Sequence, residues 1–214
     1  MPREKQRTPK LRAQLLVAAE ELLGVGGPTA LTVRALADRT GTSTAAVYEL
    51  LGDKRGVVRE LYFEGFRRMA AAFAEVPVSA APDAQLWALV MAYRHFALAH
   101  PHLVEVMFAR PFSEFEARSG ELQRVQACYV AVMSAVEGAI EAGLVDGDPL
   151  DVAHVLMATC QGLTAAELAQ RLGTAVADRD RRYRLAFTAL LRGLRPNPTA
   201  PAGKASRRAK RKET

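Results

Sequence analysis

Four hydroxyl side chains crowd a single glycine: Thr40, Thr42, Ser43 and Thr44 surround Gly41, and Tyr48 and Lys54 follow closely. Short hydroxyls, a phenol and an ammonium can hydrogen-bond phosphate oxygens and base edges. They can also do something plainer, since Thr and Ser routinely cap and terminate helices. The apolar residues around them decide between the two readings.

No other group of residues offers stronger chemistry. There is no nucleophile elbow, no phosphate-binding glycine loop and no metalloprotease helix. His95, His100 and His102 lie close together, but no cysteine or carboxylate accompanies them at a metal-site spacing. Glu114, Glu116 and Glu121 read as an acidic surface rather than an acid/base pair. Cys128 and Cys160 are the only two cysteines and form neither a disulfide framework nor a thiol metal motif; each reads as a small buried hydrophobe. No metal and no cofactor is expected, and the enzyme class has nothing to carry it.

The elements that must position the hydroxyls are helices. Apolar residues recur at spacings of three and four: Leu11, Leu15, Ala18 and Leu22; Leu86, Leu89, Tyr93 and Phe96; Tyr183, Phe187, Leu190 and Leu194. No alternating strand pattern appears, so the chain is expected to be all-α with nine helices. Breakers set the expected limits. The run 24–28 ends the first helix, and Gly41 separates two short ones at about 32–39 and 43–50. Asp53 caps a long helix to about 75, and a loop spans 76–82. One helix runs to about 99, then a short one from Pro101 to about 109. A connection at 110–114 precedes a long helix over 115–142, and the last two cover 150–171 and 176–194.

Between Val33 and Gly52 the spacing is that of a helix-turn-helix. Ala37 is small where the second helix crosses, Gly41 permits the sharp turn, and Leu36, Val47 and Leu50 fill the wedge. Ser43 is placed to cap the second helix. In such a unit the start of the second helix enters the DNA major groove.

The stretch "LTVRALADRTGTSTAAVYELLGDK" resembles the DNA-binding domain of the TetR family of bacterial regulators, over residues 10–69. The likeness rests on Thr-Val-Arg opening helix 2, on Ala37, Gly41, Ser43 and Tyr48, and on Lys54 at the start of helix 4. It implies that Thr32, Ser43, Tyr48 and Lys54 contact phosphates, and that Thr42, Thr44, Ala45 and Ala46 face base edges. Leu50 and Leu51 stand where the family often has an aromatic or His and then Phe, and Thr42 replaces the usual apolar residue after the glycine. The reading helix has no Arg, Asn or Gln for bidentate base contacts. Specificity is therefore expected to draw on DNA shape, Arg34 and the N-terminal arm. Residues 92–112 and 162–169 further resemble the WHG subgroup of C-terminal domains, with Met157 and Gln161 at that subgroup's Trp and His positions and Gly162 retained.

The resemblance implies a ligand-binding and dimerising domain over 70–194. Met69, Phe73, Trp87, Met91, Tyr93, Phe96, Met107, Phe108, Tyr129 and Met133 are the candidate lining of an apolar pocket. Few buried charges are expected, which points to a small apolar or amphipathic effector. Val152, Val155, Leu156, Leu163, Phe187, Leu190, Leu191 and Leu194 are candidates for a homodimer interface. The net charge of +6 is carried by the ends: a basic arm at 1–9 and a Pro-, Gly- and Lys/Arg-rich tail at 195–214, expected to be disordered, flank a mildly acidic body. No apolar run spans a bilayer, and a cytoplasmic protein without membrane contact is expected. The expected function is a dimeric, ligand-responsive repressor of a palindromic double-stranded DNA operator. The alternative is a helical ligand-binding or interaction module whose head no longer binds DNA.

Overall fold

The computed structural model describes residues 8–109 and 119–196. Most of the basic arm, nearly all of the tail, Glu114, Glu116 and the 110–114 connection therefore lie outside the described residues. Within them the chain is all-helical, with nine α-helices and no strand: α1 (Pro9–Ala30), α2 (Val33–Thr40), α3 (Thr44–Leu51), α4 (Lys54–Ala74), α5 (Pro82–Ala99), α6 (Pro101–Val104), α7 (Gln126–Glu141), α8 (Pro149–Leu168) and α9 (Val176–Gly193). A π-helical turn, Glu105–Ala109, continues α6, and a 3-10 turn, Ser119–Arg124, precedes α7. The long helix expected from 115 is thus shorter. Ser119 and Gly120 are weak helix formers, and the chain tightens there instead of continuing an α-helix.

Side-chain caps set the helix starts in the head. Thr32 Oγ1 accepts from the Ala35 amide at 3.0 Å, Ser43 Oγ from Ala46 at 3.2 Å, and Asp53 Oδ1 from Gly56 at 3.0 Å. Gly41 ends α2 in the left-handed region at φ 65°. A Cβ there would meet nothing within 4 Å, so the demand for glycine is conformational and not a matter of space. Its amide and that of Thr42 return to the carbonyls of Asp38 and Ala37. At Gly56 the demand is spatial: a Cβ would sit 1.9 Å from the Leu51 carbonyl oxygen. That close approach seats the end of α3 on the first turn of α4.

Leu36 and Val47 are fully buried and Ala37 nearly so. Leu51, rather than Leu50, completes the wedge: Val47 and Leu51 lie four apart on one face, while Leu50 is only half-buried. Helix α4 then serves two cores. Val57, Val58 and Leu61 are buried in its first half, Met69 and Phe73 in its second, and it packs against α1 and α3 as well as α5 and α7.

Polar contacts reinforce that junction. Glu20 of α1 receives Arg68 of α4 at 3.0 Å and the His100 Nδ1 at the end of α5 at 2.9 Å. Glu64 is gripped by Arg67 and Arg68, which holds its carboxyl at about 2, below the usual 4.5. A depressed carboxylate stabilises the fold fully above its unfolded value and loses that contribution as pH falls toward the folded value. Stability should therefore decline between pH 4.5 and 2, and Glu64→Gln should flatten that decline. Because Arg67 is 67% exposed, solvent screening keeps the expected effect near 1 kcal/mol or less. Urea midpoints measured across this range check it.

Candidate nucleic-acid interface and cavity

The start of α3 presents the hydroxyl cluster. Ser43, Thr44, Ala45 and Tyr48 are exposed, Tyr48 to 57%, and Thr42 is half-buried in the turn. Arg34 is exposed on the first turn of α2, where Thr32 is the cap. Ala46 is a correction: at 9% exposure it belongs to the core, because it points with Val47 toward the buried side of α3 and away from any base edge. Lys54 opens α4 and donates from Nζ to the Pro28 carbonyl at 2.6 Å, at the break in α1 where Gly26 and Gly27 are non-helical. The helix N-termini of α2, α3 and α4, with their unshared amides and partial positive charge, suit oxyanions. Arg55, exposed beside Lys54, was not singled out from the sequence, although its place in the first turn of α4 could have suggested it.

The second half of α4 borders a cavity of about 250 Å³, lined on its other sides by the π-turn, α7 and α8. Its wall is almost wholly carbon and sulfur. Five of the candidate lining residues are there: Met69, Phe73, Phe108, Tyr129 and Met133. Tyr93 lines a neighbouring cavity. Trp87, Met91, Phe96 and Met107 line neither. Trp87 packs tilted against Phe187 at 5.1 Å with the Arg184 guanidinium over its ring, Phe96 packs on His100 at 5.3 Å, and Met107 is buried against Gly65. A period of three to four marks buried positions without saying what they are buried against.

The cavity residues not anticipated are chiefly on α8: Leu150, Ala153, His154, Met157 and Gln161. Their spacing follows one helix face. The sequence carried that signal, but the neighbouring apolar stripe drew α8 toward dimerisation. Val152 and Leu156 from that stripe are each 4% exposed and fill the protomer's own core, and Phe187 is covered by Trp87. Val155, at 43%, remains exposed on α8, with Leu185, at 69%, on α9; Leu163, Leu190, Leu191 and Leu194 are half-buried.

Buried charge is confined, among the described residues, to Arg94 and Glu167. Arg94 on α5 meets Glu167 on α8 through two hydrogen bonds of 2.8 Å, and also reaches Asp180 on α9 at 2.6 Å. Arg94 lies 4.4 Å over the Tyr183 ring, whose hydroxyl is 2.9 Å from Thr164 Oγ1. The Cys128 and Cys160 thiols are pushed up to about 12 by burial and stay protonated. His100 is taken by Glu20, and no cluster of three or more His, Cys, Asp or Glu able to hold a metal occurs among the described residues. None of the described helices is long and apolar enough to cross a membrane.

A helix-turn-helix head joined through one shared helix to a helical second domain is the architecture of a DNA-binding regulator. Residues 15–61 match the family model described as "Bacterial regulatory proteins, tetR family", and residues 86–205 match "Tetracyclin repressor-like, C-terminal domain". The chain belongs to the TetR family, and it is a DNA-binding transcriptional regulator, not an enzyme. The C-terminal match is to that model; the WHG resemblance gains no support from it. Among solved structures it resembles a protein of unknown function from Rhodococcus sp. RHA1, with 28% identity, 90% of this chain and 100% of that one covered, and a TM-score of 0.75. A tetR-family regulatory protein from Rhodococcus RHA1 shares 18% identity, covering 89% and 100% of the two chains at TM-score 0.67. The ketosteroid transcriptional regulator KstR2 of Mycobacterium tuberculosis shares 20%, covering 89% and 97% at TM-score 0.62. No curated protein matches the chain.

Proposed function

We propose that the protein is a homodimeric, ligand-responsive repressor of a palindromic operator. Each protomer inserts the start of α3 into a major groove. Ser43, Thr44 and Tyr48 meet the DNA there, with Thr32, Arg34, Thr42, Ala45 and Lys54 beside them. The observation that carries the reading is the double duty of α4. Its first turn seats α3 through Gly56, and its second half lines the apolar cavity through Met69 and Phe73. A ligand that displaces α4 changes the angle of the reading head, a coupling of roughly 1–3 kcal/mol in such systems. Two half-sites require a two-fold pair of heads, for which Val155 and Leu185 offer exposed apolar surface on α8 and α9.

A selection of bound DNA from a random pool, followed by gel shifts on the recovered site, tests this. An inverted repeat should emerge, bound by two protomers. Tyr48→Ala should weaken binding about tenfold or more, since it removes a phosphate contact from each of two half-sites. Recovery of no preferred sequence would leave only the ligand-binding module.

A further inference from the structure

The apolar cavity does not stand alone. A second one, of about 470 Å³, lies between α5, α6 and α8. Phe108 and Gln161 line both. The Phe108 ring stands between Phe66 of the first cavity, at 5.7 Å, and Tyr93 of the second, at 6.2 Å, edge-on to each. Phe108 belongs to the π-turn, an irregularity that re-aims side chains and recurs at functional sites.

The polar groups at this shared wall are few. Neither the Gln161 amide nor the Tyr93 hydroxyl has a hydrogen-bond partner among the described residues. In contrast, the Thr164 hydroxyl donates to the Cys160 carbonyl at 2.9 Å, and His154 uses Nδ1 on the Leu150 carbonyl at 2.8 Å. Burial raises the Tyr93 phenol well above its ordinary value, so it remains a donor. Charge is scarce. Arg94 is neutralised by Glu167 and Asp180, and only His102 and Glu105 flank the second cavity. An anionic ligand would lose its hydration and find neither Lys nor Arg in the first cavity. A neutral oxygen would find donors at the wall.

We infer that the two cavities form one effector site for an elongated, uncharged amphiphile. Its apolar body lies between α4, α7 and α8, and a carbonyl or hydroxyl oxygen passes Phe108 to reach Gln161 and Tyr93. This rests on the reading of the C-terminal half as effector-binding. It adds the ligand class and makes Gln161 a specificity-determining residue.

Prodan, a neutral elongated aminonaphthyl ketone whose emission reports hydrogen bonding to its carbonyl, is a suitable probe. It should bind the full chain saturably. Gln161→Leu should weaken it about tenfold, the effect of one hydrogen bond, and shift the bound emission to the blue. Met157→Trp, which fills the first cavity, and Val104→Phe, which narrows the second, should each abolish binding. Anionic anilinonaphthalene sulfonate should bind at least about tenfold more weakly than prodan, because neither Lys nor Arg lines the cavity. Circular-dichroism melting confirms that each variant is folded. If Met157→Trp abolishes binding while Gln161→Leu and Val104→Phe leave it unchanged, the two-cavity inference falls and the single effector cavity stands. If no substitution alters binding, the effector-cavity reading falls with it. Equal affinity for the sulfonate overturns the uncharged class.

Discussion

Arg94→Leu should lower the unfolding free energy by about 3 kcal/mol, the cost of removing the main partner of a buried charge while Arg179 stays 3.5 Å from Glu167. Arg94 and Glu167 are only 5% and 7% exposed, so solvent replaces the lost bonds poorly. Asp180, at 49%, is solvated and matters less. The pair is expected to contribute specificity of packing more than net stability. Replacing both partners, Arg94→Leu with Glu167→Leu, should therefore recover most of the loss, since two apolar side chains need no ionic partner. The pH response gives a second, independent reading. Arg94 holds the Glu167 carboxyl below its usual 4.5, so the pair's contribution is present above pH 4.5 and declines as pH falls below it. In Arg94→Leu the Glu167 carboxyl keeps only the longer Arg179 contact, at 3.5 Å, and its pKa rises, so the acid-side decline should flatten in that variant. Urea unfolding from pH 7 downward measures both effects. A loss below about 1 kcal/mol, as for a surface pair, would show the network to be solvated and dispensable.

Thr44→Glu should cut DNA affinity by at least about a hundredfold, because it sets a carboxylate on the exposed first turn of α3 against phosphates. The fold should not suffer. Thr44 is exposed, and an acid in the first helical turn favours the helix dipole by up to about 1 kcal/mol. Loss of DNA binding with an unchanged or slightly raised melting temperature is therefore the expected signature, read by gel shift at fixed salt beside a thermal melt. Unimpaired binding would place the DNA surface elsewhere on the head.

The head was legible because its determinants are local. Caps at Ser43 and Asp53, the left-handed turn at Gly41 and the small crossing residue Ala37 act within a few residues of where they stand. The errors there were one of register and one of facing: Leu51 for Leu50 in the wedge, and Ala46 turned inward. Helix positions three and four apart share a face, so one apolar neighbour can stand in for another on paper.

Farther along the chain, periodicity located helices but could not say which faces meet. Trp87 and Phe187, 100 residues apart, find each other only in the folded bundle, as do Arg94 and Glu167, 73 apart. The apolar faces of α8 were open to any of three partners: the protomer core, the cavity or a second chain. Composition and period by themselves determined an all-helical chain with a helix-turn-helix at one end and hydroxyls at the head of its second helix. Tertiary structure alone decided that α4 joins that head to an apolar cavity, that Met157 and Gln161 line it, and that Arg94 ties α5, α8 and α9 together. Helix formation depends on neighbours within one or two turns, whereas a cavity or a buried ion pair depends on which distant helices pack together.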